Sequence, residues 1–160
     1  AVIYRFANVV GPRGHGVVQD FVRKLLTNHA VLEILGDGTQ NKSYLHVDDC
    51  VEAVLFGLEH CRNRVEVFNI ASEDQIDVKT VAKIVCEEMN LGEVKLKCTG
   101  GVDGGRGWKG DVKNMSLSIK KLKQEGWKPK YNSSESVRLT ARAEIWRLRQ
   151  AWPILEDMRV

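Results

Sequence analysis

The stretch ILGDGTQNKSYLHVDDC, residues 34–50, places a lysine, a phenol, an imidazole and two carboxylates directly behind a tight glycine turn. Lys42 can hold an anion, while Asp48 and Asp49 have the types and spacing of a pair for general acid/base work. Helix capping accounts for the carboxylates better. Asp49 with Glu52 reads as a capping box, which satisfies two free N–H groups reciprocally at the start of a helix. Period-two alternation sets Lys42, Tyr44 and His46 on one strand face, so a hairpin after Gly36-Asp37-Gly38 would present them outward. His46 stands just before the helix start, where a structural hydrogen bond is a better account than catalysis.

A second locus is TGGVDGGRGWKGD, residues 99–111, with five glycines before Trp108 and one after it. Glycine permits close backbone approach, and Arg106 could grip a phosphate through two parallel bonds. On the residues alone, a solvated loop cation is the plainer account of Arg106, and Trp108 is expected to pack. Asn8, at the end of the first apolar run, either caps a turn or meets a ligand at the carboxyl end of a strand. Arg13 orders its loop, and His15 is an exposed loop histidine.

These side chains need a frame. AVIYRFANVV (1–10) is a nearly continuous run of strand formers, suited to a parallel sheet covered on both faces, and Gly11-Pro12 ends it. Val17, Val18, Phe21, Val22, Leu25 and Leu26 keep helical spacing over 17–28, and VLEIL (31–35) is a short strand. The next helix covers about 49–60 with Val51, Val54, Leu55 and Leu58 inward, followed by a strand at 65–71. Asp77 caps a helix bearing Val78, Val81, Ala82, Val85 and Met89, which Gly92 closes. VKLKC (94–98) alternates as a half-exposed strand. A short helix over about 117–124 ends at Gly126. Ser133 or Ser134 caps a last helix carrying Val137, Ala141, Ile145 and Leu148, with Pro153 as its stop. Strands separated by helices argue an α/β class.

The totals bound the function. The chain has 160 residues, 43% apolar and 28% charged, which suits one globular domain. Its 24 Lys and Arg against 21 Asp and Glu leave only +3, too little to argue for nucleic acid. No apolar run is long enough for a membrane span, and no signal peptide is visible. The chain opens at Ala1 inside a strand, as a cut or processed chain would. Cys50, Cys61, Cys86 and Cys98 are too scattered for a zinc site or a disulfide framework and read as small core residues in a reducing cytoplasm. No metal site is expected.

Five stretches carry a resemblance: RFANVVGPR (5–13), ILGDGTQNKSYLHVDDCVEA (34–53), VFNIASEDQIDV (67–78), GGRGWKGDV (104–112) and LKQEGWKP (122–129). In that order and spacing the chain resembles the C-terminal half of extended short-chain dehydrogenase/reductase proteins, the NAD-dependent nucleotide-sugar epimerases and dehydratases, with UDP-glucose 4-epimerase as the nearest type. The resemblance implies an α/β fold made of the last strands of a Rossmann-type parallel sheet plus a small mixed α/β substrate domain, incomplete relative to the family fold and spanning 1–160.

The family's Gly-rich G-x-x-G-x-x-G turn for NAD and its Y-x-x-x-K acid/base pair are not in this sequence. The resemblance therefore implies substrate binding without catalytic residues. Lys42, where the family usually has arginine, and Arg106 would meet the diphosphate, and Asn8 the nucleotide sugar. Tyr44 is either core or ligand wall. Val17 and Val18 fall where the family chain passes the uracil ring, and plain helix packing explains them equally well. The expected ligand is a UDP-glucose or UDP-galactose type of nucleotide sugar, and NAD is the parent family's cofactor. A separate N-terminal half is a conceivable partner. The isolated chain is expected to be inactive. A 4,6-dehydratase, a decarboxylase or a non-catalytic binding chain stand as alternatives.

Overall fold

A computed structural model describes residues 1–151. The elements are β1 (Val2–Phe6), β2 (Asn8–Val10), α1 (Val17–Thr27), β3 (Val31–Ile34), β4 (Asn41–Lys42), β5 (Tyr44–His46), α2 (Val47–Glu59) and β6 (Glu66–Ile70). They continue with β7 (Ile76–Asp77), α3 (Val78–Glu88), β8 (Lys95–Cys98), β9 (Asn114–Met115), α4 (Lys120–Gln124) and α5 (Ser133–Ala151).

The first apolar run breaks at Ala7. β1 pairs in parallel with β6, while β2 pairs in parallel with β5. One run therefore serves two partners, and Asn8 begins its second segment instead of ending the first. β3 pairs in parallel with β8, and β4 lies between antiparallel β7 and parallel β9. The fold is α/β with short, mostly parallel sheets, as expected for part of a Rossmann-type epimerase/dehydratase fold.

Two cores hold these pieces. α1, α3 and α5 close on β3 around Val18, Phe21, Leu25, Leu32, Val85 and Ala141. A smaller core joins β5, β6, α2 and α4 through Leu45, Ala53, Phe68, Leu122 and Trp127.

Several local expectations change. No β3–β4 hairpin forms, because each of those strands pairs elsewhere, although Gly36 and Gly38 do make the turn at φ 97° and 80°. α2 starts earlier, at Val47, with His46 as its cap. Its buried positions are Asp49, Ala53 and Gly57, while Val51, Leu55 and Leu58 face outward. Small residues set that phase: a Cβ on Gly57 would lie 2.9 Å from Tyr4 Cε1, so the helix seats closely on β1. α3 closes at Asn90, which takes the left-handed position at φ 55°, and not at Gly92. Asn132 and Glu135 form the capping box of α5, each side chain accepting from the other's N–H at 2.9 Å, and Ser133 sits inside the helix. The expected stop at Pro153 lies outside the described residues.

Candidate functional site

A cavity of about 550 Å³ opens between β2, the start of α1, β4, β5 and the glycine-rich loop. Asn8, Val17, Lys42 and Tyr44 line it together with Trp108 and Asp111. The sequence-predicted residues thus divide. Val18 is fully buried in the larger core, and Arg106 stands exposed on the loop away from the cavity lining.

Each lining residue is placed by a local cause. The Asn8 Nδ2 donates to the Ser43 carbonyl at 3.1 Å, tying β2 to the β4–β5 junction. Ser43 separates Lys42 from Tyr44, so the two belong to different strands and not to one continuous face. Tyr44 is buried, its N–H donating to Ser133 Oγ at 3.0 Å. Burial first, and then the charges of Asp111 and Asp77, push its phenol up to about 12. Tyr44 is therefore both core and cavity wall.

Lys42 is not free. Its Nζ lies 2.7 Å from Asp111 Oδ1 and 5.7 Å from the centre of the Trp108 ring. Asp111 Oδ2 accepts the Gly107 N–H at 3.1 Å, and the Asp111 N–H donates to the Trp108 carbonyl at 3.0 Å. Trp108, expected to pack against its loop or a ligand, belongs to neither core. It is 58% exposed at the cavity wall, held over Lys42. Sequence reading missed Asp111, because its partner Lys42 lies 69 residues away and no local pattern marks the contact.

The loop's position is fixed from the other side. Asp37 N–H donates to the Gly105 carbonyl at 2.9 Å, and Lys113 Nζ lies 2.6 Å from Asp37 Oδ2. The hydrogen bond from Lys113, helped by those from Thr39, holds the Asp37 carboxyl well below the usual range. Gly36 is required here. At φ +97°, a Cβ would lie 1.9 Å from Gln40 Nε2.

The remaining polar candidates are structural. His46 Nδ1 accepts the Asp48 N–H at 3.3 Å and its ring meets Tyr131 edge-on. Asp49 does not cap α2. It is buried and accepts the N–H groups of Lys130 and Tyr131 at 3.0 and 3.1 Å, pinning the segment before α5. Among the described residues no cluster of His, Cys, Asp and Glu could hold a metal ion, and no helix is long and apolar enough to cross a membrane.

The turn between β2 and α1 also has glycines, at 11, 14 and 16, in a strand–turn–helix setting that could suggest a dinucleotide phosphate cradle. It is filled. Gln19 Nε2 donates to the Gly11 carbonyl at 2.8 Å, and its Oε1 accepts the Gly16 N–H at 3.2 Å. The residues present do not fit a dinucleotide pyrophosphate.

Residues 1–71 match the model of the NAD dependent epimerase/dehydratase family. The structure of UDP-glucose 4-epimerase from Thermotoga maritima, solved with UDP-glucose, superimposes with a TM-score of 0.73 at 34% identity, over 92% of this chain and 46% of that one. The chain belongs to the NAD dependent epimerase/dehydratase family. A second family structure, the Thermus thermophilus UDP-glucose 4-epimerase with NAD, gives 0.69 at 26% identity, over 89% of this chain and 45% of that one. GDP-mannose 3,5-epimerase of Arabidopsis thaliana is 32% identical over 144 residues, 86% of this chain and 36% of its own. The chain thus spans under half the length of these family members.

Proposed function

We propose that this chain is the nucleotide-sugar-binding part of an NAD-dependent sugar 4-epimerase, with a UDP-sugar as ligand. The observation that carries the reading is the cavity itself. Asn8, Val17, Lys42 and Tyr44, picked out from the sequence for substrate contact, share one wall although β2, α1, β4 and β5 supply them separately. β2 lines the cavity along its length with Asn8, Val9 and Val10, and the parallel strand β5 enters it at its first residue, Tyr44.

In this reading Lys42 meets the diphosphate and Asn8 the sugar. Val17 and the apolar start of α1 flank the base. Arg106 reaches the ligand only if its loop shifts toward the cavity. Binding far from the reacting carbon orients the substrate, which is a catalytic contribution even where no bond is made or broken. Residues 1–160 carry neither the Gly-rich NAD turn nor a Y-x-x-x-K pair, and Gln19 fills the β2–α1 turn. The chain alone is therefore expected to be inactive. A second reading, a GDP-sugar ligand, is favoured by the identity to the Arabidopsis protein over most of this chain.

Backbone resonance mapping with UDP-glucose tests the proposal. Shifts should cluster at residues 8–17, 42–44 and 107–111. Shifts confined to other faces, or none at saturating ligand, contradict it.

A further inference from the structure

Lys42 is the only lysine or arginine among the described residues that line the cavity, and Asp20 and Asp111 are its acids. Asp20 is engaged by Lys24 at 2.8 Å, one helical turn away. Asp111 is engaged by Lys42 itself. The wall therefore offers an anion no uncompensated lysine or arginine, and a phosphate can reach Lys42 only by taking the place of Asp111.

That exchange is demanding. The Asp111 side chain is 2% exposed, and its two oxygens hold Lys42 Nζ and the Gly107 N–H. A carboxylate stripped of its cation in a dry site is strongly disfavoured, so Asp111 must move toward water as Lys42 is released. The 107–111 segment allows this. Gly107 and Gly110 flank Trp108 and Lys109, Gly110 sits at φ 92°, and no atom lies within 4 Å of a Cβ built on Gly110.

Resting on the reading that Lys42 meets a ligand phosphate, we propose that Asp111 is the specificity-setting counter-ion of the cavity. It occupies Lys42 against neutral and weakly charged ligands and gives it up to a diphosphate. Discrimination then comes from a built-in competitor as well as from attraction. Selectivity for the diphosphate is set by an exchange of partners at one ammonium group.

The test compares uridine, UDP and inorganic pyrophosphate by calorimetry on the wild type, Asp111→Asn, Lys42→Ala and the double variant. Asp111→Asn should bind UDP and pyrophosphate about tenfold tighter and leave uridine unchanged. The gain should vanish in the Lys42→Ala background. Unchanged or weaker UDP binding by folded Asp111→Asn overturns the proposal, as does a gain that survives without Lys42. If wild-type UDP binding depends on Lys42 while Asp111→Asn gains nothing, the counter-ion role fails and the nucleotide-sugar reading stands. If none of the four proteins binds UDP or pyrophosphate, both fail. Should Asp111→Asn not fold, the wild type decides. Its Asp111 carboxyl ¹³C resonance should move with UDP and pyrophosphate but not with uridine, and a stationary resonance refutes the exchange.

Discussion

Lys42 and Asp111, 69 residues apart in sequence, meet at 2.7 Å with side chains 14% and 2% exposed, and this contact fastens the glycine-rich loop across β4. Lys42→Ala takes the cation from a carboxylate that is 2% exposed and unties the loop, and should cost up to about 3 kcal/mol of stability, the full figure if Asp111 stays buried and less if it swings to water. Lys42→Arg keeps the charge and should lose less. The urea midpoint measures both, and an unchanged midpoint for Lys42→Ala would mean the pair holds nothing.

Asp37 gives the second anchor of the same loop a pH dependence. Its carboxyl is held low in the folded chain, chiefly by the hydrogen bond from Lys113 and then by Thr39. A depressed folded value means the contribution is complete above the unfolded carboxylate range and is lost as pH falls through it, from about pH 5 downward. Asp37→Asn should therefore be less stable than the wild type at pH 7, with the gap narrowing as pH falls toward 3. Urea unfolding at several pH values reads this, and a gap that widens in acid contradicts the sign.

Two glycines offer a contrast. Gly36→Ala forces a side chain into φ +97° with Gln40 Nε2 at 1.9 Å, and should cost about 2 kcal/mol and loosen the loop. Gly92→Ala meets nothing within 4 Å and has no positive φ, so it should be neutral or gain up to about 1 kcal/mol. Equal losses at both positions would contradict the conformational argument.

How much of this was legible beforehand depends on the type of signal. Apolar periodicity located α1, α3 and α5 well, because Val18, Phe21, Val85, Ala141 and their neighbours form one core. It failed at α2. Val51, Leu55 and Leu58 make the larger apolar stripe, yet close seating on β1 favours the small side of the helix, at Ala53 and Gly57. The break at Ala7 was invisible because both halves of the run are equally strand-like, and only the change of partner from β6 to β5 separates them. At the site, Lys42 and Tyr44 were picked out by residue type and by the resemblance, while the single strand face expected from their spacing does not form, because Ser43 separates β4 from β5. Asp111 and the exposed Trp108 were not readable, since their roles arise from a long-range contact that no local pattern encodes.

The adjacent carboxylates at the start of α2 separate capping from tertiary anchoring. Asp49→Ala removes the acceptor for the Lys130 and Tyr131 N–H groups in a buried position and should cost about 3 kcal/mol, with Asn restoring part of it. Asp48, whose side chain is 80% exposed, should tolerate Ala within about 0.5 kcal/mol. Thermal unfolding of the two variants side by side measures this. Equal small effects would return Asp49 to a simple capping role.

The central claim is that the cavity binds a nucleotide sugar through Lys42, and calorimetric titration of the chain with UDP-glucose tests it most directly. The account predicts heat from UDP-glucose that falls at least tenfold in affinity with Lys42→Ala, the loss expected for one charge-assisted hydrogen bond, and none from NAD. Heat from NAD with none from UDP-glucose, or UDP-glucose binding indifferent to Lys42→Ala, would contradict it.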